Sequence, residues 1–205
     1  MDLFGESHND LQDQLDALPH CKIQYIPDFY SLAAAKKLYE ELLHKIEWQQ
    51  DDVKVFGKIY PQPRLTALFS DNGKTYSYSG ITMHSKPFLP PINDIKKRIK
   101  TNYPEYNFNS CLSNLYRNGD DSNGWHADDE PELGQNPVIA SVSFGEIRKF
   151  RIRLKKDHKI KIDIPLKSGS LLLMSGTTQH YWQHCIPKTK KKVDSRINLT
   201  FRFIV

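Results

Sequence analysis

Hydrophobic and polar positions divide the chain into a helical front and a long β-rich remainder. In "SLAAAKKLYEELLHKI", Leu32, Ala35, Leu38, Leu42 and Ile46 recur at helical spacing behind Ser31, which is placed to cap. In "PPINDIKKRIK", Ile92, Ile95 and Ile99 mark one face of a second helix. Proline suits its start, because the missing N–H has no intrahelical partner there. Between these helices, "VFGKIY", "RLTALFSDNGKTYSYSG" and "ITMHSKPF" read as strands and turns, with "DNGK" a hairpin signal. From about residue 107, "NPVIASVSFG", "KFRIRL", "KIKIDIPL", "GSLLLMSG" and "RINLTFRFIV" are short alternating segments separated by Gly, Pro or charged turns. The first twenty residues are polar and are expected to be loose.

Helices followed by a run of strands predict an α+β fold whose main body is a β-sandwich or jelly roll. A length of 205 residues suits one substantial domain, and no repeat or low-complexity linker divides it. Hydrophobic content of 39% with 26% charged residues is that of an ordinary globular chain. No apolar run reaches the roughly eighteen residues of a membrane span, so no membrane partner is expected. "MDLFGESHNDLQDQL" has no apolar signal core, and Cys21, Cys111 and Cys185 are odd in number and far apart. Both features point to a reducing interior.

The net charge of +5 is compatible with a polyanionic partner but does not demand one. Its distribution is more informative. "RKFRIRLKK" at 148–156 and "KTKKK" at 188–192 are basic, whereas acids gather around 120–132. A solvated loop explains a lysine run as well as a binding patch does.

Candidate chemistry centres on "GWHADDEPELG". His126 and Asp128 are two apart, so in extended chain both project to one side. One imidazole and one carboxylate are two-thirds of the facial triad that holds non-haem Fe(II). The missing histidine has two candidates by spacing, His180 and His184, at the far end of "GSLLLMSGTTQHYWQHCIP". In "SRINLTFRFIV", Ile197, Leu199, Phe201 and Phe203 alternate with Arg196, Asn198, Thr200 and Arg202. One face is apolar. The other carries two guanidinium groups, an amide and a hydroxyl, a set suited to a dicarboxylate. Asn114 and Tyr116 in "LSNLY" share a face and offer further hydrogen bonds.

The order N-x-Y, H-x-D, H-C-I-P and R-x-N-x-T-F-R, over about residues 50–205, resembles the AlkB family of Fe(II)- and 2-oxoglutarate-dependent dioxygenases. The resemblance implies a double-stranded β-helix (jelly-roll) core at 107–205, with N-terminal helices and a nucleotide-recognition hairpin lid at 51–87. It implies His126, Asp128 and His184 as metal ligands, and Arg196 as partner of the distal carboxylate of 2-oxoglutarate. Asn114, Tyr116, Asn198, Thr200 and Arg202 would be its other polar contacts. No catalytic residue is implied beyond the iron centre.

The implied reaction is oxidative demethylation of N-alkylated bases such as 1-methyladenine and 3-methylcytosine in DNA. It uses Fe(II), 2-oxoglutarate and O2 and releases succinate, CO2 and formaldehyde. "VFGK" and "TYSYSG" resemble the lid of the subtype that acts on duplex DNA. There Phe56, followed by Gly57 and Lys58, would fill the gap left by a flipped nucleotide, while Tyr76 and Tyr78 stack on the base. Arg64 resembles another duplex contact. Asp129 and Glu130 would lie beside a cationic alkylated base, Asp129 alternatively bridging to Arg202. Glu132 and Asp121 read as plain loop acids. Where the duplex subtype has Arg-Lys-Lys, this chain has Thr189, Lys190 and Lys191, which keeps part of the charge and loses the arginine.

Competing readings are a demethylase of RNA or single-stranded nucleic acid, a non-catalytic nucleic-acid-binding jelly roll, and oxidation of a protein. The expected state is a monomer in the cytoplasm, or in the nucleus of a eukaryote.

Overall fold

The computed structural model describes residues 8–55, 58–71, 73, 76–78 and 81–205. Two antiparallel sheets form its body. The larger has strand order β1(Lys22–Ile26), β12(Leu171–Ser175), β9(Ile139–Gly145), β14(Arg196–Arg202), β7(Ser110–Tyr116), β4(Leu65–Ser70). The smaller has the order β11(Lys161–Leu166), β10(Arg148–Leu154), β13(Trp182–Ile186), β8(Asn123–His126). Their facing sides share one core, in which Leu172 and Met174 of the larger sheet meet Ile152, Ile164 and Trp182 of the smaller. This two-layer arrangement is a jelly roll with few helices, the α+β class expected.

Helices α2(Leu32–Lys45) and α3(Pro90–Asn102) cover the outer face of the larger sheet. The α2 start follows the predicted chemistry: Ser31 Oγ accepts from Ala34 N–H at 3.3 Å. Ala35, Leu42 and Ile46 are buried, whereas Leu32 at the first turn is 76% exposed. Ile92, Ile95 and Ile99 of α3 are all at most 1% exposed and pack with Phe69, Cys111 and Phe201 of the strands beneath. Burying three such side chains contributes roughly 1.5–3 kcal/mol each before chain entropy is counted.

The front of the chain differs from the sequence expectation. His8–Asp16 form α1, with Leu11 and Leu15 buried in the core between the sheets. Gln12 tethers α1 to β1, donating to Ile23 O at 2.9 Å and accepting from Tyr25 N–H at 3.1 Å. Only two apolar residues face the core, so the polar average of this segment hid its buried face. "KIQYI" is likewise an edge strand, paired with β12, that the sequence reading did not isolate.

The segment 51–87 contributes β2(Asp52–Val55) paired with β3(Lys58–Pro61), and β5(Tyr76–Tyr78) paired with β6(Ile81–Met83). Among the described residues the "DNGK" signal does not join paired neighbours: β4 pairs with β7, and β5 with β6. Gly73 there has φ +65°, but Asn72 and Lys74 lie outside the described residues. Strand β14 ends at Arg202, so Phe203 leaves the apolar face and is 47% exposed.

Candidate metal and 2-oxoglutarate site

Cross-strand register builds the site. His184 of β13 lies directly opposite His126 of β8. Asp128 follows in the turn after β8, so the ligand atoms of His126, Asp128 and His184 lie within 4.8 Å of one another. The alternative, His180, is exposed in the single turn α4(Thr178–Tyr181), with Nε2 3.0 Å from Asn136 Oδ1. A helical turn carries it away from the face that a strand gives His184.

Each ligand is held by a neighbour. His126 Nδ1 lies 2.8 Å from Gly124 O, which turns Nε2 towards Asp128, 4.0 Å from its Oδ1. The His184 ring stacks on Phe150 with centroids 5.0 Å apart. Asp128 is 1% exposed, its Oδ1 accepts from Arg202 Nη2 at 2.9 Å, and its N–H donates to Gln179 Oε1 at 2.9 Å.

Charge states follow from burial and partners. Burial pushes His184 down to about 3, assisted by His126, and also lowers His126. Both imidazoles are therefore neutral near pH 7, as metal ligands must be. Burial alone would raise Asp128, but Arg202 first, then His184 and His126, hold it at about 2. Two neutral imidazoles and one carboxylate in a cluster fit a divalent first-row metal of the facial-triad type.

The cavity beside the triad is floored by β14 and β7, whose register places Arg196 opposite Tyr116 and Asn198 opposite Asn114. Arg196 is 1% exposed. Its Nη2 donates to Ser143 Oγ at 2.9 Å, and its guanidinium lies 5.2 Å from the Tyr116 ring centroid. Its Nε and Nη1 have no hydrogen-bond partner among the described residues. Burial lowers it to about 10, so it remains a cation. Such a group is costly to bury unless an anion completes it. A carboxylate of 2-oxoglutarate fits those two donors.

Asn198 donates to Ser141 Oγ at 2.7 Å and accepts from Thr200 Oγ1 at 2.9 Å, which fixes the floor. Arg64 also lines the cavity. It is 4% exposed, and its Nε donates to Asn114 Oδ1 at 2.9 Å. Arg64, which the resemblance implies to be a duplex contact, thus stands at the cavity floor.

Other expected site residues fall on the rim or outside it. Asp129 bonds Lys155 Nζ at 2.8 Å; the carboxylate that Arg202 meets is that of Asp128. Glu130 is partly buried at the start of the 3-10 turn 131–133. Lys58 is exposed on β3, and Lys190 and Lys191 are exposed in the loop after β13. Tyr76 and Tyr78 both fall on β5. Phe56 and Gly57 lie outside the described residues.

Asp121, read as a plain loop acid, is 4% exposed and accepts from Arg117 N–H, Nε and Nη2 at 2.8–2.9 Å. Sequence reasoning missed Gln179, Ser141, Ser143 and Arg148. Arg148 donates to the carbonyls of Asn118, Asp121 and Pro187, tying the loop before β8 to the loop after β13. Neither pattern nor motif marks these residues locally.

Comparisons agree with this geometry. Residues 22–202 match the sequence profile of the 2OG-Fe(II) oxygenase superfamily. The chain is 42% identical over 192 residues to the bovine (Bos taurus) alpha-ketoglutarate-dependent dioxygenase alkB homolog 3, covering 87% of this chain and 64% of that protein. It is 38% identical over 187 residues to the human (Homo sapiens) DNA oxidative demethylase ALKBH2, covering 86% of this chain and 71% of that protein. The solved structure of OsALKBH1 shares the fold, with a TM-score of 0.63 at 15% identity over 91% of this chain and 98% of that one. The chain belongs to the AlkB family of the 2OG-Fe(II) oxygenase superfamily. It spans a little under two thirds of the length of its bovine relative, 64%.

Proposed function

We propose that this protein is an oxidative demethylase of N-alkylated bases in nucleic acid, DNA foremost, dependent on Fe(II), 2-oxoglutarate and O2. One observation carries the reading: the His126–Asp128–His184 cluster shares a cavity with Arg196, a buried cation two of whose nitrogens have no partner among the described residues. A relative of 38% identity bears the name DNA oxidative demethylase, which supports the substrate class.

In this reading His126, Asp128 and His184 hold the metal, and Arg196 receives the distal carboxylate of 2-oxoglutarate. When bound, iron with 2-oxoglutarate and oxygen supplies the oxidation of the N-alkyl carbon, with succinate, CO2 and formaldehyde leaving and the base restored. The protein's part is placement. Arg202 fixes the Asp128 carboxylate, and its charge helps to hold that group at about 2, ionised near pH 7. The apolar side chains Leu112, Phe150 and Ile186 line the cavity beside these polar groups.

The substrate enters over the hairpins β2–β3 and β5–β6. Tyr76 and Tyr78 offer stacking for a base drawn out of its strand, a few kcal/mol of lost stacking being roughly recovered at about 1–3 kcal/mol per base. Asp129 and Glu130, next to the ligand Asp128, favour a base made cationic by methylation. Lys58, Lys190 and Lys191 are exposed and meet phosphates, which supply affinity without reading sequence.

The test is anaerobic reconstitution with Fe(II) and 2-oxoglutarate, followed by oxygen, on matched duplex DNA, single-stranded DNA and RNA carrying one 1-methyladenine. Loss of the methyl mass from DNA, absent in Asp128→Ala, is the expected result, and the relative rates give strand preference. An unchanged mass in all three substrates, with metal bound, rejects the proposal.

A further inference from the structure

We infer that Gln179 is a positioning residue of the metal centre, setting the peptide that carries Asp128. The inference deepens the metal-site reading and rests on it. Gln179 is 1% exposed and stands in α4, the turn that runs directly into β13 and so towards His184. Its Oε1 accepts the Asp128 N–H at 2.9 Å, while its Nε2 faces Met174 Sδ at 3.6 Å. Met174 lines the same cavity.

The turn itself is anchored. Thr178 Oγ1 donates to Ser175 O at 2.7 Å and accepts from Lys22 N–H at 2.8 Å, fastening α4 to β12 and β1. Tyr181 O accepts from Lys155 N–H at 2.8 Å, fastening it to the end of β10. Gln179 is therefore a side chain on a fixed base, reaching from the arm that supplies His184 to the arm that supplies Asp128.

Asp128 has no regular strand to hold it, because β8 ends at His126. Its carboxylate is fixed by Arg202 and its backbone by Gln179, so the two bonds together determine where the carboxylate sits relative to the imidazoles. A neutral amide suits this place. It satisfies a buried N–H that would otherwise lack a partner, and adds no second negative charge beside Asp128.

Mn(II) binding by the metal-free chain, followed by calorimetric titration, tests the inference without turnover. Gln179→Met keeps the length and removes the acceptor; its Mn(II) affinity is expected to fall about 10–100-fold, as for other groups that orient metal ligands. Gln179→Glu keeps an acceptor for the Asp128 N–H and is expected to recover part of that loss, the remainder being the cost of a second carboxyl beside Asp128. Equal Mn(II) affinity in Gln179→Met and the unsubstituted chain overturns the role of Gln179 while leaving the metal site standing. Absence of Mn(II) binding by the unsubstituted chain overturns the metal site and the inference with it. Should Gln179→Met fail to fold, hydrogen exchange of the Asp128 amide in the unsubstituted protein decides: protection matching its strand neighbours supports the bond, and exchange at the rate of an open loop refutes it.

Discussion

The two faces of β14 are about equally buried and do opposite work. Ile197, Leu199 and Phe201 are 0% exposed and face the helices; Arg196, Asn198, Thr200 and Arg202 are 1–7% exposed and face the cavity. The apolar face gains free energy simply by leaving water. The polar face costs free energy on burial and is tolerable only because each group meets a partner of this chain or awaits a ligand. Burial therefore does not separate core from site in this protein. What separates them is whether the buried atoms are complete.

That contrast can be broken from either side. Phe201→Ala, on the helix side, is expected to destabilise the fold by about 3–5 kcal/mol in chemical denaturation, with turnover per folded molecule unchanged. A loss of turnover beyond the unfolded fraction would mean that the two faces are coupled.

Arg196→Met, on the cavity side, is expected to behave in reverse. Removing an incompletely paired buried cation should change stability by no more than about 1 kcal/mol, or raise it. The same substitution should abolish the rise in melting temperature that 2-oxoglutarate gives the metal-loaded protein. A large destabilisation would show that Arg196 is chiefly structural.

Acidity sharpens the comparison further. The folded pKa of His184, about 3, lies below its ordinary 6.5, so the unfolded chain takes up the proton first. The contribution of this group to the stability of the metal-free protein is therefore full above about pH 6.5. It falls as pH drops towards 3, by up to about 1.4 kcal/mol per pH unit from this group. Asp128, held at about 2 against 3.8, adds its own loss only below about 3.8. Denaturation midpoints measured from pH 7 to 4 should flatten in His184→Asn; an unchanged slope would assign the acid sensitivity elsewhere.

The smallest expected effects lie on the exposed rim. Lys190→Ala and Lys191→Ala should leave stability within about 0.5 kcal/mol. Each should lower the dependence of DNA affinity on salt by about one phosphate contact. An unchanged salt slope would remove that loop from the proposed nucleic-acid surface.

Legibility followed the same division. The apolar stripes of α2 and α3 and the alternation of β14 were readable because a buried face repeats at the period of its own element. His126 and Asp128 were readable because they are two apart. The helix α1 was not, since only Leu11 and Leu15 face the core and its other residues give a polar average. Asp121 looked like solvated charge until the loop folded Arg117 onto it.

The sequence by itself determined helices α2 and α3, the β-rich remainder, the polar and apolar faces of β14, and a metal-binding pair whose third member spacing left open and the family resemblance implied to be His184. Tertiary structure shows why His184, and not His180, completes the set. Strand register sets His184 opposite His126 and leaves His180 on an exposed turn. It also decided that Arg202 meets Asp128 and not Asp129, that Arg64 joins Asn114 at the cavity floor, and that Gln179 reaches the Asp128 backbone. These pairings link residues 50 to 74 positions apart. Local periodicity records which way a side chain faces. Only the register between strands, fixed by the packing of the whole sandwich, records what it meets.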